Sequence, residues 1–288
     1  MTDAPRIAKP HTARETADRL TRFLALLAAP EAPRIWPDRL AVVVAHPDDE
    51  TIGAGGQLSR FAHATLIHVT DGAPRRHPDR ARYAMLRRRE LETAMAMVGI
   101  PAQACIELGV TDQEAALHLT SLAQRLAAIL AVRNIDIVLT HPYEGGHPDH
   151  DATAFAVHGA SWLISRRNEA APGVVEMAFY HGGSDGFCAQ RFVPAAGAPA
   201  IAVPLSSAAW ALKQRMLAAH ASQAEVVAQF TATVERFRPA PCYDFSAPPN
   251  GGAVYYEGFD WGMTSARWCQ LAADSMHELG WTPPRRRR

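Results

Sequence analysis

Apolar residues along the chain fall into short continuous runs separated by longer stretches with helical spacing. Three runs, residues 40–45, 64–70 and 135–140, are continuous and rich in β-branched side chains. Such runs are typical of strands that are buried on both faces of a parallel sheet. Weaker runs at 102–108 and 174–180 predict two more strands.

Helical patterns lie between these strands. Apolar residues at helical spacing predict helices at 53–63, 79–98, 114–131, 151–165 and 206–230. Residues 238–262 are rich in proline, glycine and aromatic residues, which predicts loops. Strands that alternate with helices predict a Rossmann-like α/β fold, a mostly parallel sheet with helices on both faces.

No linker-like change of composition divides the chain, which predicts a single domain over residues 1–288. We divide it into an N-terminal helical extension (1–35), an α/β core that carries the motifs (38–165) and an irregular C-terminal elaboration (170–288). In the extension, an apolar run sits behind charged residues with its leucines at helical spacing, which favours an amphipathic helix over a secretory signal. A cytoplasmic location follows. The four arginines at 285–288 are expected to be a solvated terminus.

Composition excludes several classes of protein. Lys and Arg number 29 and Asp and Glu number 29, so the formal net charge is zero, without the broad basic surface typical of nucleic-acid binding. No stretch approaches the roughly 20 apolar residues of a membrane span. The four cysteines are far apart and contain no CxxC pair, which favours reduced thiols over disulfides or a thiolate metal site. We therefore expect a small-molecule partner.

Two clusters of histidines and carboxylates follow predicted strands. Residues 45–50 read Ala-His-Pro-Asp-Asp-Glu after the first strand, and residues 146–150 read Gly-His-Pro-Asp-His after the strand at 135–140. Ligands of an open parallel sheet bind beyond the carboxyl ends of its strands. The two clusters should therefore meet at one edge of the sheet.

The residue types in these clusters suit a catalytic metal ion. Histidine nitrogens and a carboxylate are good zinc ligands, and a catalytic zinc has three protein ligands and an open position. His46 and Asp49 can converge on one ion, and His150 supplies a third ligand. Asp48 and His147 are then left beside the ion, where Asp48 can act as general base toward a zinc-activated water. The pattern predicts metal-assisted hydrolysis with Zn²⁺, although Fe²⁺ or another divalent ion can occupy the same ligands.

Other polar residues near the clusters have two interpretations each. Glu50 is either part of the site or a solvated residue at a helix N-terminus. His141 and His181 follow strands and can line the crevice. Arg75 and Arg76, in the loop after the second strand, are predicted to bind substrate.

Glycines and arginines close to the first cluster carry weaker signals. The glycines at 53, 55 and 56 lack the spacing of a phosphate-binding loop and are expected to allow close helix packing. Three arginines at 87–89 precede two glutamates and should form ion pairs along a helix surface, although at least one of them can face the crevice.

These motifs resemble those of the PIG-L/LmbE-like zinc de-N-acetylases. Residues 45–50 match the A-H-P-D-D-E signature of that family, residues 146–150 resemble its second motif, and residues 87–94 resemble its R-x-x-E-L-x-x-A helix. The resemblance covers residues 38–165. It implies that His46, Asp49 and His150 bind zinc and that Asp48 is the general base.

The resemblance also implies that His147 stabilises the tetrahedral oxyanion, and we expect nearby carboxylates to hold it as an imidazolium. Some members of the family carry a tyrosine two residues before this histidine. Here that position is Gly145, and the nearest tyrosine is Tyr143. Either Tyr143 helps to stabilise the oxyanion from a different backbone position, or no tyrosine takes this role.

The leading functional hypothesis is a zinc-dependent hydrolase that removes an acetyl group from an N-acetylated amino sugar or its glycoside, of the N-acetylglucosamine type. One alternative is an amidase that acts on a thiol conjugate or on another acylated small metabolite. A second alternative is a non-catalytic carbohydrate- or nucleotide-binding module. Such a module has no need of a carboxylate beside an open metal position.

Overall fold

A computed structural model describes residues 13–29, 39–61, 63–184 and 186–282, so the arginine tail at 285–288 lies outside it. Nine strands are present in this part of the chain: β1 Leu40–Val44, β2 Thr65–Pro74, β3 Cys105–Asp112, β4 Ile137–Thr140, β5 Gly173–Met177, β6 Tyr180–Gly183, β7 Gly186–Ala189, β8 Ile201–Pro204 and β9 Val234–Pro239. Eight α-helices accompany them: α1 Ala13–Ala28, α2 Asp49–Ala54, α3 Arg80–Ala96, α4 Leu119–Val132, α5 Pro148–Arg166, α6 Ser207–Ala219, α7 Ala224–Val227 and α8 Ser265–Leu279.

Seven strands form one sheet in the order β3-β2-β1-β4-β5-β9-β8. The first five strands in this order are parallel to one another. Strand β9 is antiparallel to both of its neighbours, β5 and β8. The chain runs outward from β1 to β3 and then returns to the other side of β1 as β4. The two strands β1 and β4 therefore flank the switch point, where open α/β sheets bind ligands.

Helices cover both faces of the sheet, as the sequence predicts. Along β1, Ala41 and Val43 face a cluster that includes α4, α5 and α8, whereas Val42 and Val44 face a cluster that includes α1, α3 and α6. Successive side chains of a strand point to opposite faces, so a strand that is apolar at every position needs helices on both. The predicted Rossmann-like α/β architecture is confirmed.

The N-terminal helix packs on this sheet. Phe23 and Leu27 are buried in the cluster that contains α3 and α6. Arg19 in the same helix donates to the Asp136 carboxylate at 2.8 Å, immediately before β4. The predicted amphipathic helix is thus part of the folded core.

One described segment, Ala115–Val132, is long and apolar enough to span a membrane by length and composition. Its residues Leu122, Leu126 and Leu130 are buried in the core cluster with α5 and α8. The segment contains α4, and it packs as a core helix of the α/β domain.

The C-terminal third departs most from the sequence prediction. The helix predicted at 206–230 ends at Ala219, and a short α7 follows after a turn of 3-10 helix. The strand predicted at 174–180 ends at Met177, and Tyr180 begins a separate hairpin of β6 and β7. Helix α8, which buries Trp268 completely, has no counterpart in the sequence prediction.

Candidate metal centre

The two histidine–carboxylate clusters meet at the switch point. His46 follows β1, and α2 begins three residues later at Asp49. The loop after β4 leads to His147, the N-cap of α5, and His150 lies in the first turn of that helix. All four side chains are buried. The convergence expected from the sequence is present.

Three donor groups from these clusters form a tight triangle: the Nδ1 atom of His46, the carboxylate of Asp49 and the Nε2 atom of His150. His46 Nδ1 lies 3.2 Å from Asp49 Oδ2 and 3.3 Å from His150 Nε2, and His150 Nε2 lies 3.5 Å from Asp49 Oδ1. Ligand atoms held tetrahedrally around zinc at its usual bond lengths are about 3.3–3.6 Å apart. The spacing and the N₂O donor set therefore fit a divalent metal ion.

The protonation states of two of these groups suit ligation. Burial, followed by the neighbouring His141, lowers the pKa of His150 to about 3, so its imidazole is neutral. Burial alone would raise the pKa of Asp49, but His150, His141 and His46 outweigh it and bring the pKa well below its ordinary value. A neutral imidazole and an ionised carboxylate are the forms that bind metal.

The other nitrogen of His46 faces two carboxylates. Its Nε2 lies 3.1 Å from Asp112 Oδ1 and 3.2 Å from Asp149 Oδ2. Burial would lower the pKa of His46, but Asp112 and Asp49 outweigh it and raise the pKa well above its ordinary value. Carboxylates in this position orient a metal-binding histidine and increase its basicity. Asp149 is held in turn by the backbone N–H groups of Gln113 at 2.6 Å and Ala115 at 2.9 Å.

Two further histidines considered from the sequence lie away from the open crevice. His141 is buried behind Asp49, with Nε2 at 3.2 Å from Asp49 Oδ2 and its ring stacked on His150 at 4.1 Å. His181 Nδ1 lies 2.9 Å from the carbonyl oxygen of Gly182. His141 therefore supports the donor set from behind, and neither histidine lines the crevice.

Asp48 has a strained backbone and an arginine partner. Its φ of 140° and ψ of −25° are rare for a residue with a side chain, and such strain is concentrated at functional sites. Arg87 Nη2 donates to Asp48 Oδ2 at 3.1 Å and to the carbonyl oxygen of Pro47 at 2.7 Å. Burial raises the pKa of Asp48 to about 8, against the opposing charge of Arg87. Among the arginines at 87–89, Arg87 is thus the one that turns inward.

Glu50 is buried rather than solvated. Its Oε2 accepts from the backbone N–H of Asp48 at 3.2 Å and lies 3.1 Å from His68 Nε2, while its Oε1 accepts from Thr51 Oγ1 at 2.6 Å. Burial opposes ionisation, but His68 outweighs it and lowers the pKa of Glu50. Glu50 therefore fixes the strained loop at Asp48, and the solvated-cap interpretation is wrong.

His147 is neutral in this arrangement. Its Nδ1 accepts from the backbone N–H of Asp149 at 3.1 Å, so the neutral ring carries its proton on Nε2. Burial, followed by the charge of His46, lowers the pKa of His147 to about 3. One nitrogen of His147 lies within 4.8 Å of ligand atoms of both His46 and His150. The expected imidazolium is not supported, but a neutral Nε2–H donor is.

These groups open into a cavity of about 290 Å³. All five residues predicted to be metal ligands or catalytic groups line it: His46, Asp48, Asp49, His147 and His150. The site therefore combines a set of donor atoms that could hold a metal ion with a carboxylate and an imidazole on the same cavity wall.

The sequence profile described as PIG-L, GlcNAc-PI de-N-acetylase, matches residues 41–161. Residues 41–161 are therefore similar to the PIG-L family. Members of that family are de-N-acetylases, which are hydrolases of amide bonds. Among curated proteins, no sequence matches the chain.

Solved structures show the same fold at low sequence identity. The A40926 pseudoaglycone deacetylase Dbv21 is 16% identical with a TM-score of 0.52, over 70% of this chain and 96% of that one. A deacetylase–teicoplanin complex is 17% identical with a TM-score of 0.51, over 72% and 100%. An N,N'-diacetylchitobiose deacetylase from Pyrococcus horikoshii is 20% identical with a TM-score of 0.50, over 74% and 80%.

Tyr143 does not take the place of the tyrosine that some members of the PIG-L family carry. It is 4% exposed, and its hydroxyl donates to the carbonyl oxygen of Ala247 at 3.0 Å. Its ring packs against Phe245 and Trp268 in the core. The sequence shows a tyrosine near the motif but does not show that its side chain points away from the cavity.

Arg75 and Arg76 are likewise outside the cavity lining. Arg75 Nη2 donates to Glu114 Oε2 at 2.6 Å, and Arg76 Nη1 donates to Asp260 Oδ2 at 3.0 Å. Both arginines are largely exposed, with side chains 73% and 78% accessible. The structure therefore does not support the substrate-binding role predicted for them.

The cavity is completed by residues that the sequence analysis did not single out. Asp112, at the end of β3, follows a predicted strand as the two motifs do. Its position in the sequence could therefore have marked it as a residue of the site. The others come mostly from the C-terminal third, where no motif marks them: Phe179, Tyr180, Gln223, Val226, Phe230 and Trp261. Burial, followed by Asp49, Asp48 and Asp112, raises the pKa of Tyr180 well above its ordinary value, so its hydroxyl remains a donor.

Proposed function

We propose that this protein is a PIG-L-type hydrolase that removes the acetyl group from an N-acetylated amino sugar or its glycoside, with Zn²⁺ held by His46, Asp49 and His150. The observation that carries the proposal is the triangle of donor atoms 3.2–3.5 Å apart, open to a cavity that Asp48 also lines. A divalent ion held there supplies Lewis acidity toward the acetamide carbonyl and makes water easier to deprotonate.

Asp48 is the proposed general base. Water attacks the carbonyl carbon of the acetamide, and the Asp48 carboxylate accepts the proton that the water loses. The strained backbone and the ion pair with Arg87 hold the carboxylate at the cavity wall. The reaction needs the ionised form of Asp48, which the Arg87 charge and a bound cation both favour.

His147 and Tyr180 are proposed to stabilise the negative charge that develops on the carbonyl oxygen. Both line the cavity, and both carry a proton to donate: Nε2–H of neutral His147 and the hydroxyl of Tyr180. Donors that are positioned before the reaction stabilise an oxyanion without reorganisation. The C–N bond then breaks, and the amine nitrogen takes the proton from Asp48, which leaves acetate and a free amino sugar.

Release of acetate from a panel of N-acetyl sugars and their glycosides tests this proposal. We expect time-dependent acetate release from at least one N-acetylglucosamine-type compound, abolished by chelation and restored by Zn²⁺. Hydrolysis confined to acylated thiol conjugates would favour the amidase alternative, and no hydrolysis of any amide would contradict the proposal.

A further inference from the structure

Aromatic side chains continue outward from the candidate site. Trp261 contacts His147 with ring centroids 4.6 Å apart, and Phe259 stacks on Trp261 at 4.4 Å with an interplanar angle of 10°. Tyr255 follows at 5.2 Å from Phe259, and Phe187 at 5.4 Å from Tyr255. We call these four residues, Phe187, Tyr255, Phe259 and Trp261, the aromatic rim.

The rim is exposed where it leaves the catalytic cavity. Phe259 is 41% exposed and Phe187 is 36% exposed, whereas large apolar side chains normally lie in the core. Contiguous exposed aromatic surface is typical of binding sites. Because Trp261 also lines the catalytic cavity, the rim is continuous with the site of the reaction.

A second cavity of about 550 Å³ lies along the rim and includes Tyr255 and Phe259 in its lining. Five glycines also line it, Gly182, Gly183, Gly186, Gly252 and Gly258. None of its described lining residues carries a charge. The chemistry of this cavity suits an uncharged ring, and it offers no cation to a phosphate.

The rim is held in place before any ligand binds. Tyr256 beside it is completely buried in the core, and the backbone N–H of Tyr255 donates to the carbonyl oxygen of Gly145 at 2.8 Å. Asn250 Nδ2 donates to the carbonyl oxygen of Gly182 at 2.7 Å, which joins the loop to the β6–β7 hairpin. A preformed surface of this kind binds with little ordering cost.

We propose that the aromatic rim and the second cavity form a subsite for an uncharged ring joined to the amino sugar. This inference rests on the proposed deacetylase function and names its substrate class. The rim stacks on the face of a ring, either a sugar or an aromatic group, while the acetamide lies at the metal-binding triangle. A substrate with a phosphate next to the amino sugar gains nothing from this subsite.

The test compares kcat/KM for acetate release from five compounds: free N-acetylglucosamine, its two anomeric phenyl glycosides, N,N'-diacetylchitobiose and N-acetylglucosamine 1-phosphate. We expect at least one ring-bearing compound to have a higher kcat/KM than the free sugar. The kcat/KM of the 1-phosphate should not exceed that of the free sugar. The phenyl and chitobiose arms distinguish an aromatic from a sugar occupant. Phe259→Ala should lower the ratio of ring-bearing to free sugar by about threefold to tenfold, the effect of losing one stacked ring.

Two other variants control for loss of structure. Phe259→Tyr keeps the ring and should restore the ratio. Trp210→Ala removes a half-buried tryptophan that lines a different cavity on α6, and it should leave the ratio as in the wild type. The subsite would be overturned if Phe259→Ala left the kcat/KM ratio of ring-bearing compound to free sugar unchanged. It would also be overturned if the 1-phosphate gained as much over the free sugar as the ring-bearing compounds do. Either result would leave the deacetylase function intact.

Binding without turnover separates this inference from the proposed function. Phenyl β-glucopyranoside has the ring but no acetamide, so calorimetric titration reports the subsite alone. We expect binding to the wild type that is weakened in Phe259→Ala, even if no acetamide is hydrolysed. No binding, or a loss of dimers in Phe259→Ala during gel filtration, would overturn the subsite, because the rim would then be a subunit interface.

Discussion

Asp48 and Asp49 are adjacent carboxylates with different surroundings, and their substitutions should have different effects. Asp49 faces three histidines, whereas Asp48 faces Arg87 and the cavity. We expect Asp48→Asn to keep its metal and to lose about 10²–10⁴-fold in kcat, the size of a general-base contribution. Metal analysis of the purified variant together with acetate release checks this expectation.

His150→Ala is the matched ligand variant and should lose both metal and activity. Its Nε2 is one corner of the donor triangle, and two remaining donors bind an ion weakly. If Asp48→Asn lost as much metal as His150→Ala, the roles assigned to Asp48 and Asp49 would be wrong.

Arg87 should set the pH at which the enzyme becomes active. Burial raises the pKa of Asp48, and the Arg87 guanidinium opposes that rise. The base works when ionised, so kcat/KM should increase as pH rises through this pKa. Removing the cation in Arg87→Gln should move the acid limb upward by about one pH unit or more.

Two variants on the same helix control for this shift. Arg87→Lys keeps a positive charge and should show a smaller movement of the acid limb. Arg88→Gln removes an arginine that pairs with Glu92 instead, and its profile should match the wild type. A shift of equal size in Arg88→Gln would show that the effect is not specific to Asp48.

His147 should not contribute a limb to the pH profile. Its pKa is lowered to about 3 by burial and then by His46, so the ring stays neutral across the working range. His147→Gln keeps an N–H donor, and we expect a lower rate with a profile of unchanged shape. Disappearance of the alkaline limb in this variant would show that His147 acts as an imidazolium, as the sequence alone suggested.

A buried ion pair ties three elements together behind the site. Lys213 of α6 donates to Glu235 of β9 at 2.6 Å and to the carbonyl oxygen of Ile52 in α2 at 2.8 Å. Lys213→Met leaves Glu235 buried without its cation and should lower the free energy of unfolding by about 3–5 kcal/mol. Denaturant unfolding measures the loss, and Arg215→Met, at an exposed position of the same helix, should show little change.

The elements that the sequence predicted well are those whose burial alone determines the pattern of apolar residues. Strands β1, β2 and β4 are buried on both faces, so their sequences are continuous apolar runs. Strands β8 and β9 are antiparallel and half exposed, and their pattern does not stand out. Helix α6 breaks at His220, which is completely buried, and the position of a break depends on tertiary packing that local pattern does not contain.

Metal binding should stabilise the whole molecule as well as activate it. The donor triangle belongs to the folded state, since His150 lies about a hundred residues after His46 and Asp49 along the chain. An ion that binds only the folded form adds about 2.7 kcal/mol at a hundredfold excess over its Kd. We expect Zn²⁺ to raise the Tm of the chelated wild type but not that of His150→Ala, as measured by scanning calorimetry. An equal rise in both proteins would place the ion elsewhere.

The candidate site could be predicted where residue type and strand position together decide it. His46, Asp49 and His150 follow buried strands with metal-binding chemistry, and the structure brings them together. Tyr143 could not be judged in the same way, because its direction depends on packing against the C-terminal segment. A cytoplasmic location and the identity of the ion stay predictions.

Apart from Tyr180, the reacting groups come from an earlier stretch of the chain than much of the cavity wall. Every proposed metal ligand and base lies between residues 46 and 150, whereas the aromatic rim and much of the wall lie after residue 178. Mutations in the later stretch that spare Tyr180 and Trp261 can therefore change the cavity wall while the metal ligands and the base stay the same. Proteins that descend from such a chain can keep the same reaction and act on different substrates. Sequence similarity within residues 46–150 then says little about the substrate of each protein.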